Sequence, residues 1–106
     1  MFRMTTFITQ FNLPAGIPVE DLRKTFLDVA PYFQAVRGLF SKTFLLSEDG
    51  MRGGGVYVWK SRSEAAAFEP SLRAMVREKF GVETDITYFH TPVVVDNVQG
   101  HVKTST

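Results

Sequence analysis

Residues 53–60, Gly53-Gly54-Gly55-Val56-Tyr57-Val58-Trp59-Lys60, constrain the fold more than any other stretch. Val, Tyr, Val and Trp favour a pleated backbone. Alternation puts Tyr57 and Trp59 on one face and Val56 and Val58 on the other. Neither face is polar, so the strand needs cover on both sides and belongs inside a sheet. The three glycines permit a bulge or let a neighbouring backbone or ligand come close. Composition favours a buried strand with a glycine bulge. The alternative is the wall of a small-molecule cavity, lined by Tyr57 and Trp59.

The rest of the chain supplies partners for this strand. Residues 3–12 read as a first strand, with Phe7, Thr9 and Phe11 on one face. Pro18 suits the first position of a helix, and Glu20 and Asp21 favour its positive end. Leu22, Phe26, Val29, Ala30, Phe33 and Val36 follow at helical spacing. Pro31 predicts a kink near residues 27–31, and Gly38 a stop. Residues 39–47 form a second strand, and Asp49-Gly50 turns it back antiparallel into residues 53–60. Ser61-Arg62-Ser63-Glu64 fits a capping box and opens a second helix. Pro70 breaks that helix in two, and Gly81 ends it. A last strand covers about residues 82–91, limited by Pro92, and Val93-Val94-Val95 offers a short extra strand.

The order strand, helix, strand, strand, helix, strand is that of the α+β, ferredoxin-like βαββαβ fold. Right-handed crossovers give an antiparallel sheet in the order 4-1-3-2, with both helices on one face. The chain of 106 residues is read as one domain over residues 1–96, followed by a loose polar tail over residues 97–106. The strands carry apolar residues on both faces, and ten phenylalanines add to them. The uncovered face therefore calls for a second copy, giving a homodimer.

A net charge of +1 argues against nucleic-acid and membrane-surface partners. No segment is long and apolar enough to span a bilayer, and the first residues lack a signal-peptide run. The absence of cysteine removes thiolate chemistry and fits a cytoplasmic home. No His/Asp/Glu cluster has metal spacing, and no phosphate loop or nucleophile elbow occurs.

Two segments carry a resemblance. Val36-Arg37-Gly38-Leu39-Phe40-Ser41-Lys42-Thr43-Phe44 is one. Gly53-Gly54-Gly55-Val56-Tyr57-Val58-Trp59, with the Ser/Glu/Ala-rich helix start at residues 61–68, is the other. Together they resemble the YdhR-like mono-oxygenases, a branch of the dimeric α+β barrel (antibiotic biosynthesis monooxygenase-like) superfamily. The resemblance implies a homodimer whose sheets pack into a barrel-like assembly, with a cavity between helices and sheet in each subunit. It also implies cofactor-independent oxygenation of a small or polycyclic aromatic substrate. The superfamily holds haem-using, isomerising and non-catalytic members as well.

Oxygenation without metal or flavin requires a base, an oxyanion stabiliser and an apolar cavity. His90 is the candidate base, because histidine is the usual general base among side chains and this one shares a strand face with Ile86 and Tyr88. Tyr57 and Trp59 are candidate lining residues with O–H and N–H donors. Asn12 and Gln10, late in the first strand on a shared face, can bind a substrate oxygen. Lys42, between Phe40 and Phe44 on an edge strand, can hold an enolate or phenolate; edge lysines also serve to block unwanted pairing. Tyr32, beside the expected kink, can reach the cavity mouth. Each also has a purely structural reading, as core, interface or solvated surface. A non-catalytic ligand-binding protein with the same cavity is the alternative function. An RNA-binding module fits less well, since the first and third strands lack the basic-aromatic pattern that stacks bases.

Overall fold

The computed structural model describes residues 2–105. In chain order the elements are β1 (Thr5–Asn12), α1 (Val19–Gln34), β2 (Leu39–Leu46), β3 (Arg52–Trp59), α2 (Arg62–Phe80), β4 (Asp85–His90), β5 (Val93–Asp96) and β6 (His101–Thr104). Four strands form one antiparallel sheet in the order β2-β3-β1-β4, which is 4-1-3-2 counted from the other edge. The glycine-led strand is central, as its two apolar faces require, and the fold is the ferredoxin-like α+β arrangement.

The glycines do not make a bulge. β1 and β3 pair without a slip from Thr5 opposite Trp59 to Asn12 opposite Arg52. The irregularity lies in β2, between Leu39 and Ser41, and leaves Phe40 exposed. The glycines act by close approach instead. A Cβ on Gly54 would sit 2.0 Å from the Thr9 carbonyl oxygen, and one on Gly53 would sit 3.1 Å from the Phe11 ring.

Register decides the faces. Phe7 pairs with Tyr57 and Tyr88, and Thr9 with Gly55 and Ile86, so these point together toward the helices. The core joins Phe7, Phe11, Tyr57 and Trp59 of the sheet to Phe33 of α1 and to Ala65, Phe68, Leu72 and Val76 of α2. On the opposite face Ile8, Val56 and Val58 are half-buried, while Leu45 and Phe89 are exposed.

Both helices run past their prolines. Pro18 caps α1 rather than entering it, with extended backbone angles. α1 continues through Pro31 to Gln34, and the proline leaves the Leu27 carbonyl without its usual helical donor. Ser61 caps α2 by accepting from the Glu64 N–H at 3.3 Å, and Gly81 ends it at φ +70°. Pro70 does not split α2. It lies on the less buried side, while Phe68, Leu72 and Val76 bury the other side, and that burial outweighs one missing hydrogen bond.

Residues that polarity alone marks as a loose tail form half of a hairpin. β6 pairs with β5, and the Asp96 carboxylate accepts from the Gln99 N–H in the turn. Ser105 ties the hairpin base down, donating its N–H to the Pro92 carbonyl and accepting from the Met4 N–H at 2.9 Å each. Val93, Val95 and Val102 stay exposed. Among the described residues no helix is long and apolar enough to cross a membrane.

Candidate functional site

Lys42 of β2 and Tyr57 of β3 are direct cross-strand partners, so both side chains leave the sheet on its helix-covered face. The Lys42 ammonium donates to the Tyr57 hydroxyl at 2.5 Å. Gly55 makes this possible: a Cβ there would meet the Tyr57 ring at 3.0 Å and the Lys42 stem at 3.5 Å. The Lys42 nitrogen lies over three rings, 3.6 Å from the centre of Phe33, 3.9 Å from Phe44 and 4.5 Å from Tyr57.

Burial lowers the Lys42 pKa from 10.5 to about 7. The ring faces oppose this by attracting the cation. Burial also pushes the Tyr57 hydroxyl well above the usual tyrosine range, so it stays protonated. Two spaces meet at this lysine. The inner one, about 40 Å³, lies between sheet and helices and is walled mainly by Phe11, Phe26, Val29, Leu72, Met75 and Val76. Thr9, Thr25, Lys42, Tyr57 and Lys79 give it polar side chains. The outer one is a groove of about 680 Å³ between α1 and edge strand β2, lined by Leu27, Ala30, Pro31, Phe33, Phe40, Ser41, Lys42 and Phe44 among others. Among the described residues no carboxylate lines either space, so a protonated Lys42 has no counter-charge there. A half-buried amine whose pKa is lowered to about 7, with no acidic partner lining these spaces, can take a proton from an acidic hydroxyl and then hold the anion it leaves.

Of the residues singled out in the sequence, Lys42 and Tyr57 come together, Lys42 lining both spaces and Tyr57 the inner one. Trp59 is fully buried and stacks on Tyr57 at 6.2 Å, but it lines neither space, and its Nε1 has no partner among the described residues. Tyr32 is exposed and meets Phe33 edge-on at 5.4 Å, outside both linings. Asn12 is exposed at the end of β1, opposite Arg52. His90 does sit on the helix-side register, opposite Thr5. It is the last residue of β4, however, where it is exposed and packs edge-on against Phe2 at 5.9 Å, away from both spaces.

Sequence reasoning passed over Phe33 and Phe44, which frame the lysine, and Thr9. Thr9 carried a signal, being the one polar residue between Phe7 and Phe11 on an apolar face. A second polar cluster serves packing. Tyr88 donates to Glu69 at 2.5 Å, Arg73 bridges Glu69 and the Thr84 carbonyl, and Arg62 lies over the Tyr88 ring. Burial, then the Glu69 carboxylate, pushes the Tyr88 pKa up to about 12. Among the described residues no group of three or more His, Asp or Glu gathers as metal ligands do.

Several solved structures share this architecture. SnoaB, a cofactor-independent oxygenase from Streptomyces nogalater, superposes with TM-score 0.61 at 19% identity, over 84% of this chain and 93% of that one. A monooxygenase from the gene ActVA-Orf6 of Streptomyces coelicolor, solved with nanaomycin D, gives 0.60 at 16%, over 90% and 92%. NE2512 from Nitrosomonas europaea, a protein of unknown function, gives 0.68 at 10%, over 90% and 95%. At these identities the likeness is one of fold. No curated protein sequence matches the chain significantly. A family model does, over residues 8–91, and by that match the chain belongs to the family described as "Putative mono-oxygenase ydhR".

Proposed function

We propose that the protein is a cofactor-independent mono-oxygenase for an acidic aromatic substrate, with Lys42 as its base. The observation that carries this is the half-buried Lys42 amine, set over three rings, bonded to Tyr57 and lacking an acidic partner among the residues that line the two spaces. The groove of about 680 Å³ has the size of a small-molecule site, whereas the inner space of about 40 Å³ is too small for a fused-ring compound. The substrate therefore lies in the groove against Phe33 and Phe44 and turns its hydroxyl toward Lys42. The family supports the reaction type, and the nanaomycin D named with the Streptomyces coelicolor neighbour supports the substrate class.

The free amine takes the hydroxyl proton of an anthrone-type substrate in its enol form, and the new ammonium holds the phenolate beside the Tyr57 O–H. The phenolate gives one electron to dioxygen, the resulting superoxide and phenoxyl radical combine as a peroxide at the ring carbon, and the Lys42 ammonium returns its proton to that peroxide. Loss of water leaves a carbonyl where a CH2 stood. One oxygen atom ends in the product and the other in water.

The working unit on this reading is a homodimer. The apolar open face of the sheet and the exposed valines of the β5–β6 hairpin are the surfaces a second copy would cover. Sedimentation at micromolar concentration should give twice the chain mass; a well-folded monomer would contradict this.

The test of function is oxygen uptake with anthrones and hydroquinones after metals and flavins are stripped. Uptake should rise with pH through about 7, where Lys42 loses its proton. Lys42→Met should lower the rate by about 10²- to 10⁴-fold. Tight binding of the panel without uptake would favour the ligand-binding alternative.

A further inference from the structure

The inner space has no role in holding the aromatic substrate, yet it opens on the same amine. We infer that it is the dioxygen site of the enzyme, an inference that rests on the oxygenase reading above. Its free volume of about 40 Å³ takes about three or four water-sized molecules at most, since one water needs roughly 10–15 Å³. That suits a diatomic gas. Phe11, Phe26, Val29, Leu72, Met75 and Val76 make most of its wall. Apolar cavities of this kind hold uncharged, weakly hydrated molecules in preference to water. Thr9, Thr25 and Lys79 lie at its rim with the Lys42–Tyr57 pair, whose polar atoms are bonded to each other.

Position completes the argument. Lys42 and Phe44 line both spaces. A phenolate formed in the groove would face dioxygen across the ammonium that formed with it. Superoxide would then arise next to a cation, which lowers the energy of the electron transfer. The aromatic substrate and dioxygen thus occupy two spaces of matching size on either side of one amine, which is base to the first and cation to the superoxide formed from the second.

Xenon is the probe, because it fills small apolar cavities and takes no part in the chemistry. Wild-type protein under xenon pressure should show saturable ¹²⁹Xe shift changes, and Val29→Phe, which fills the space from α1, should abolish them. In oxygen-electrode kinetics at varied dioxygen, Val29→Phe should raise KM for dioxygen about tenfold while the phenol KM stays within about twofold. No xenon uptake by the wild type would overturn the gas cavity even if turnover is seen. Xenon uptake with an unchanged dioxygen KM in Val29→Phe would overturn its role as the oxygen site. No turnover by the wild type on the aromatic panel would overturn the oxygenase reading and the oxygen assignment with it, leaving xenon uptake to report only a gas-sized cavity.

Discussion

Tyr57 and Trp59 stand two residues apart on one strand, share one face and stack nearly parallel, with 4° between their rings. Their surroundings differ completely. Around Trp59, Phe7 and Phe68 close at 5.4 and 5.5 Å, and the indole borders neither space. Around Tyr57, Gly55 withholds a side chain, and Lys42 enters beneath the ring. The same strand thus carries a sealed half at Trp59 and an open half at Tyr57, and the glycines belong to the open half. Where every position bears a bulky side chain, the sheet and helices weld together. Where one is bare, a polar side chain can be buried and chemistry becomes possible, at a cost in stability.

Each substitution in the two halves should therefore read differently. Trp59→Ala should cost about 3–5 kcal/mol by denaturant unfolding, the largest loss, while leaving the pH dependence of turnover unchanged. A loss under about 1 kcal/mol would show that the half is not sealed. Gly55→Ala should cost about 1–3 kcal/mol, because its Cβ forces the Tyr57 ring or the Thr43 carbonyl to move, and it should depress turnover beyond that loss. Equal losses of stability and activity would deny the glycine a part in forming the site.

The open half should also make stability depend on pH. Between about 7 and 10.5 the unfolded chain holds a proton on Lys42 that the folded chain has released, so stability should rise with pH across that window. Above about 10 the trend should reverse, because Tyr57 and Tyr88 keep protons in the fold that the unfolded chain gives up. Urea midpoints from about pH 6 to 9.5 should climb in the wild type and stay flatter in Lys42→Met. Smallest of all, His90→Ala should change stability by less than about 0.5 kcal/mol and leave the pH–rate limb near 7 in place. Loss of that limb would return the base to His90.

The fold was legible because it rests on local signals that agree. Strand alternation at residues 53–60, the Ser61 cap, the Asp49-Gly50 turn and the Gly81 stop all point to one order of elements. The splitting of α2 at Pro70 was misread because local propensity cannot weigh the buried stripe of Phe68, Leu72 and Val76. Of the site, the residue types were legible and their surroundings were not. Lys42 looks like an ordinary edge-strand lysine. It is half-buried because a bulge at Leu39–Ser41 turns Phe40 outward and brings Lys42 opposite Tyr57, and because Phe33 comes across from α1. His90 lies apart from it for the mirror reason: alternation gives its face correctly but says nothing about how far along the sheet the helices reach.

The central claim is that Lys42 titrates near neutrality inside the protein. Heteronuclear NMR of the lysine side chains from about pH 5 to 11, with Lys42→Met as the assignment control, measures this directly. One lysine should titrate near pH 7 and its signal should vanish in Lys42→Met. Five lysines all titrating near their ordinary value of 10.5 would contradict the account.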